Sequence, residues 1–386
     1  MSLLFEQKKL KSYLGKDLVS LFKDFNAIVA GGAITSLFTN SEINDIDVYF
    51  RSKEDIAGFI ECVFEDSIYI MAHTDKATLF VYNEIQVQLI HYDTFENVDD
   101  VFDAFDFTAC MGAYDFKHDE FKLHNEFMKH NAQKLIRYNK KTDYPLISLL
   151  RVKKYQEKGY EISKPEMFRV VLSCMNLDIT SYDELKEQLG GMYGVNYDKM
   201  FEDIEDEEFS LDKAIDHLEN LHLNDEYFIQ PVNKEIEYNN VLELIHSATG
   251  LPFKYFEADG REYKVGYNGD IDDLYNKSDV FEWVKVDVGD LFDETMYKYV
   301  KDNGYKLVSF FDGKFEYVVG DEAVAKDKAG LFLETKQTVV NSKYGDRDNR
   351  VLIEVKVNPE DFNGIKNNHL TFKKCKVVRV LDEKSL

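Results

Sequence analysis

AIVAGGAITSLFTNSEINDIDVYF, residues 27–50, holds two strand-like patterns with a glycine break and a short helix between them. The apolar run 27–30 reads as a buried strand. Gly31-Gly32 interrupts it and opens a helix over 33–38. After a polar loop, Asp45-Ile46-Asp47-Val48-Tyr49-Phe50 alternates. The period of two places Asp45, Asp47 and Tyr49 on one face and Ile46, Val48 and Phe50 on the other. Aspartate is a poor strand residue, and two on one face repel each other. A strand that tolerates this is expected to hold a cation between them. The glycines permit close backbone approach, and the helix start offers free N–H groups to a phosphate. Thr35 and Ser36 add hydroxyl donors. Together these parts form a triphosphate cradle beside a carboxylate pair suited to Mg2+ (or Mn2+).

Gly-Gly, a gap, then Asp-x-Asp on a strand resembles the signature of the DNA polymerase β-like nucleotidyltransferase superfamily. The spelling GGAITS…DIDVYF looks most like the head domains of CCA-adding enzymes and bacterial poly(A) polymerases. The resemblance covers residues 20–160. It implies an α+β fold with a nucleotidyltransferase head, and transfer of a nucleotide from an NTP to an acceptor. Two Mg2+ ions about 4 Å apart would bridge Asp45, Asp47 and a third ligand. Gly31, Gly32, Thr35 and Ser36 would hold the phosphates. The acceptor would be an RNA end, such as tRNA, or a protein hydroxyl.

The third ligand is where this chain departs from the pattern. The strand expected over 85–90 carries Gln86 and Gln88 on its polar face, where the superfamily usually sets a carboxylate. Glu84 stands at the start of that strand. Asp106 opens a further strand expected over 107–114, after a helix over 98–105, and is the preferred candidate. A helix-to-strand cap is an equal reading of Asp106. The run VFDAFDFTACMGAYD resembles stretches of phage and giant-virus relatives of the superfamily. If no third carboxylate exists, the head binds nucleotides without turning them over and serves as an interaction module.

Residues 134–158 are the one clearly basic tract: Lys134, Arg137, Lys140, Lys141, Arg151, Lys153, Lys154 and Lys158. Pro145 starts a helix there, and Arg151 and Lys154 fall on one face. In the resembled enzymes such a helix supplies cations to the incoming nucleotide. A solvated helix face is the alternative. The rest of the chain is acidic, with a net charge of −25 over 386 residues. That excludes a general nucleic-acid binder and confines any polyanion to a local patch.

Length implies about two or three domains. We expect the head over 1–145, a helical region over 146–249 and a β-rich domain over 250–386, with Gly250-Leu251-Pro252 as the linker. Within the helical region, 165–175 reads as a buried helix, and the acidic run EDIEDEEF as a solvated face. The four cysteines, Cys62, Cys110, Cys174 and Cys375, have no CxxC spacing, which points to a reducing cytoplasm, that of the host if a phage encodes the chain. The N-terminus reads as an amphipathic helix over 2–26 rather than a signal peptide, and no run is long enough to span a membrane.

Beyond 250 come short β-rich runs separated by turn pairs, the clearest being Asp312-Gly313 between SFF and KFEYVV. GLFLETKQTVVNSKYG…RVLIEVKV is loosely similar to the late strands of ADP-ribosyltransferases. That resemblance would make Glu334 or Glu354 the catalytic glutamate, although no H-Y-E or R-S-E set assembles around either. A partner-binding β-domain is the simpler reading.

Overall fold

The computed structural model describes residues 3–64, 69–189, 201, 203–204, 208–220, 238–258, 260–275, 277–287, 295–335, 339, 348–366 and 369–381. The chain forms two compact units, Met1–Gly250 and Leu251–Leu386.

The first unit is built on a seven-stranded sheet. Its strands are β1 (Ile28–Ala30), β2 (Ile46–Tyr49), β3 (Tyr69–His73), β4 (Ala77–Tyr82), β5 (Ile85–Ile90), β6 (Gly112–Asp115) and β7 (Glu120–Leu123). Their order across the sheet is β3-β4-β5-β2-β1-β6-β7. Only β2 and β5 run parallel; the other pairs are antiparallel. Ile28, Val29 and Ala30 are all fully buried, so both faces of β1 are covered. A strand buried on both faces loses its polar alternation, and this one reads as a plain apolar run.

Helix α1 (Leu4–Asp24) buries Leu10, Leu14, Leu18 and Phe22, a stripe at helical spacing, and bends at Gly15. Phe22 stacks on Phe59 of α3 (Lys53–Val63) and meets Phe116 edge-on. Ser52 caps α3, its Oγ accepting from the Asp55 N–H at 3.0 Å. Asn83 and Glu84 join β4 to β5 with φ of 47° and 68°. Two left-handed residues in a two-residue hairpin loop make a primed turn, whose twist suits the strands.

Helix α4 (Val98–Ala104) begins with a capping box, Asn97 and Asp100. The segment after α4 differs from the strand expected over 107–114. Thr108–Cys110 is a three-ten turn, and the strand begins only at Gly112. The Ala109 carbonyl is claimed by two side chains, Thr35 Oγ1 at 3.0 Å and Asn131 Nδ2 at 2.9 Å. Thr108 turns its hydroxyl to His130 at 2.6 Å. Tertiary hydrogen bonds thus replace the ladder that the sequence pattern implied.

Gly112 is fixed by packing. A Cβ there would stand 2.8 Å from Ile34 Cγ2 and 2.8 Å from Phe127 Cε2. Gly112→Ala should lower stability by about 1–3 kcal/mol, the usual cost of overpacking. Urea denaturation would read it. A loss within experimental error would mean that Ile34 and Phe127 give way freely.

Helix α5 (Phe127–Gln133) leads into β8 (Leu135–Ile136), which pairs with β9 (Glu161–Ile162). Between them lies α6 (Pro145–Glu157), with Pro145 in its first turn. Val152 and Tyr155 of α6 pack with Phe107, Ile136 and Tyr138. Helix α7 (Lys164–Met175) follows, capped by Ser163. It is not the buried helix expected over 165–175. Val170 alone is buried, while Phe168, Val171, Leu172 and Met175 are exposed. Apolar residues lie on more than one side of this helix, and one side packs. Half of the acidic run, residues 202 and 205–207, lies outside the described residues.

Among its described residues the second unit is mainly β, with a three-ten turn at Pro359–Asp361. Its largest sheet has six strands, in the order Glu316–Tyr317, Leu307–Val308, Thr295–Asp302, Arg350–Lys356, Lys374–Leu381 and Glu322–Val324. Phe256, Tyr263, Val300, Ile353, Phe372 and Val377 are among its fully or nearly fully buried residues. The expected hairpin around Asp312-Gly313 forms: Leu307 pairs with Tyr317, and Asp312 Oδ1 caps the Lys314 and Phe315 N–H groups at 2.9 Å each. The turn pairs Gly345-Asp346 and Asn367-Asn368 lie outside the described residues, as does Asp259 of Asp259-Gly260. Strand Thr295–Asp302 has no clear sequence signature, because its lysines break the apolar alternation. Lys298 is answered inside the unit by the Phe332 carbonyl at 2.6 Å, and burial pushes its amine down to about 8. Among the described residues no helix is long and apolar enough to cross a membrane.

Candidate functional site

The site grows from the turn between β1 and α2 (Gly32–Thr39). Gly31 adopts φ +84°, a left-handed conformation that favours glycine. A Cβ on Gly31 would lie 3.3 Å from Asp47 Oδ2 and 3.5 Å from the Phe105 ring. The missing side chain therefore lets the start of α2 and the Asp47 carboxylate come together. Gly32 is exposed, and a Cβ there would meet open space. Thr35 does not turn its hydroxyl toward that space. It serves the carbonyls of Gly31 at 3.1 Å and Ala109 at 3.0 Å. Ser36 is half-buried one turn into the helix.

Asp47 sits between Ala30 of β1 and Gln88 of β5, in register with both. Burial, and then repulsion from Asp45, push its carboxyl up to about 7, against a hydrogen bond from Gln88 and the pull of Arg151 and Lys154. A cation would relieve this. Asp45 and Asp47, completed by phosphate oxygens, are a donor set that suits one Mg2+. Among the described residues no group of three or more His, Cys, Asp and Glu side chains is arranged to hold a metal ion.

Glu84 is excluded as a third ligand by register. It is an exposed turn residue four positions before Gln88, roughly 13 Å away along the strand. Asp106 is 3% exposed and faces Arg151, whose Nη1 lies 3.1 Å from its Oδ2. Burial raises the Asp106 carboxyl, and Arg151 opposes that shift. The Cys110 thiol lies 3.7 Å from its other oxygen. Asp106 thus joins the neighbourhood through a cation, and the expected convergence of three carboxylates is not what the geometry brings together.

The basic tract divides. Arg151 and Lys154 of α6 act on Asp47, and Lys158 senses Lys154, Asp45, Arg151 and Lys134. Burial and then these like charges lower the Lys158 amine, while Asp45 raises it. Arg137, Lys140 and Lys141 line a different, half-open cavity of about 440 Å3 with Asp99, Asp103 and Glu126. There Arg137 pairs with Glu126, and Lys141 with Asp103 at 2.7 Å. Sequence pattern marks Gln88, on the polar face where a third ligand was expected, and the parallel pairing of β2 with β5 sets it beside Asp47. The pattern does not mark Phe105, whose ring closes on Gly31. In the second unit, Glu354 accepts from Arg379 at 2.7 Å, and the Glu334 carboxylate lies 3.8 Å from His369.

Asp47 carries a pH prediction. Its pKa is raised from 3.8 to about 7, so the folded protein favours the proton more than the unfolded chain does. The metal-free protein should therefore lose stability from this group as pH rises from about 4 through about 7, by at most about 4 kcal/mol. Asp47→Asn should flatten that slope and raise the melting temperature at pH 8. Thermal scans at pH 5 and pH 8 without divalent ions check it; parallel pH profiles for both proteins would show that the carboxylate is not strained.

A profile described as "Gabija anti-defense 2 family protein" matches residues 4–134. A protein of Bacillus phage SPbetaL7, named "Gabija anti-defense 2", is 43% identical over 387 residues, covering 98% of this chain and 96% of that protein. Among solved structures, a Thermotoga maritima CCA-adding enzyme complexed with tRNA matches with a TM-score of 0.35 and 14% identity, over 55% of this chain and 53% of that one. A CCA-adding enzyme with ATP matches with a TM-score of 0.36 and 13% identity, over 63% and 69%. A tRNA-processing enzyme in an apo form matches with a TM-score of 0.36 and 10% identity, over 47% and 52%. The chain spans about half the length of the first and last of these structures. At such scores these likenesses carry no argument, and the mixed α/β architecture is read from the sheets and helices themselves.

Proposed function

The chain belongs to the Gabija anti-defense 2 family, and on that premise we propose that it counters the Gabija defence through a cation-dependent nucleotidyl-transfer site in its first unit. One observation carries this reading: the Gly31 turn, the Asp45–Asp47 pair and the Arg151–Lys154 face of α6 meet at one place. An anionic substrate with a bound cation suits this place, since it holds both carboxylates and cationic side chains. An NTP with its divalent ion answers both.

Asp45 and Asp47 would hold that ion, which supplies Lewis-acid polarisation of the phosphates when bound. The exposed turn at Gly32 receives the phosphates at the start of α2. Arg151 and Lys154 hold the triphosphate by charge. The acceptor hydroxyl oxygen bonds to the α-phosphorus, the α–β bridging bond breaks, pyrophosphate leaves with that electron pair, and the hydroxyl proton passes to solvent. The acceptor is an RNA end or a host-protein hydroxyl, and the setting is the cytoplasm of an infected bacterium.

A second reading makes the head a nucleotide-binding module that acts by contact. The pairing of Asp106 with Arg151, in place of a third ligand beside Asp45 and Asp47, favours it. Incubation with radiolabelled NTPs, or with labelled NAD, plus an extract of Gabija-carrying cells separates the readings. Label passing from NTP to a macromolecule supports transfer. Binding without transfer supports the module. Label from NAD would move attention to Glu334 and Glu354.

A further inference from the structure

β5 runs parallel to β2, and their register sets Gln88 beside Asp47. Gln88 is 2% exposed and stands beside Asp47 in register, where it helps hold the Asp47 carboxyl down. A glutamine amide is neutral, so this position adds no anionic ligand beside Asp47. Gln86 lies on the same face of β5 and is half-buried. Asp106, the candidate for a third ligand, is held by Arg151. The positions from which the neighbouring strand would add charge therefore carry neutral amides.

We propose that Gln88 fixes the cation capacity of this site at one divalent ion, shared by Asp45, Asp47 and the triphosphate oxygens. The proposal rests on the reading of the first unit as a nucleotide site. A second dication about 4 Å from the first needs anionic ligands to offset their mutual repulsion. Two aspartates already committed to one ion do not supply them, and a buried neutral amide adds no charge to the site. The site is then built to retain NTP firmly and to release its nucleotidyl group slowly, and Gln88 separates the two properties.

The test is a count of Mn2+ ions by electron paramagnetic resonance, on the full chain with a non-hydrolysable NTP analogue. The wild type should take up one ion per chain, with the spectrum of an isolated ion. Gln88→Glu should take up two, with a spin-coupled spectrum, and its NTP turnover should rise. Two ions in the wild type would overturn the proposal. So would a single ion in a Gln88→Glu protein whose thermal unfolding shows it to be folded. Should that variant not fold, the wild-type count still decides between one and two. No ion retained at any analogue concentration would instead remove the nucleotide reading itself, and the proposal with it.

Discussion

Asp45→Ala combined with Asp47→Ala is expected to abolish cation-dependent NTP binding and to leave Gabija-carrying bacteria protected against a phage that relies on this protein. Asp47 lies on β2 and Asp45 immediately precedes that strand, and Asp47 borders the space kept open by Gly31. Affinity should fall by more than about 100-fold, since losing even a partner of a metal ligand typically costs about 10–100-fold. Stability should hold or rise. The double variant removes a carboxyl that burial and a like charge push up to about 7. Calorimetry with each NTP, with and without Mg2+, gives the binding result, and an infection assay gives the biological one. Unchanged binding would remove the two-aspartate site. Lost binding with intact anti-defence activity would detach the nucleotide from the function and move attention to surfaces elsewhere on the chain.

Arg151→Ala should have two separable effects. The first is structural: it strands the Asp106 carboxylate, which is 3% exposed. Breaking a buried pair costs about 3–5 kcal/mol, and because the Arg151 side chain is itself 37% exposed, solvent screening brings the expected loss to about 2–3 kcal/mol. The second is functional: Arg151 is one of the two cations acting on Asp47, so NTP affinity should fall as well. Adding Asp106→Asn separates these effects. A neutral amide needs no counter-ion, so the double variant should recover most of the lost stability yet keep the weakened binding. Urea denaturation measures the first and calorimetry the second. If Asp106→Asn alone abolishes turnover at unchanged NTP affinity, Asp106 acts on the reacting centre and not through Arg151.

The sequence by itself determined the elements whose signals are local. Ala27, Ile28, Val29 and Ala30 read as a buried strand because three or four consecutive apolar residues suffice. Ser52 caps α3, Pro145 opens α6 and Asp312 turns its hairpin through contacts spanning a few residues. The period of two set Asp47 apart from Ile46 and Val48 on β2, while Asp45 falls one residue before the strand. The tertiary structure decided what lies across from these elements. Gln88 meets Asp47 through the parallel pairing of β5 with β2, and no periodicity within either strand specifies that register. Asp106 met a cation from α6, beside a three-ten turn at Thr108–Cys110 that Thr35, Asn131 and His130 hold from elsewhere in the chain. Lys298 lies inside a strand because a carbonyl from another strand receives it. In each case the deciding partner lies dozens of residues away. Burial makes that partner obligatory, since a charge or polar group cut off from water must be answered by whatever the fold brings beside it.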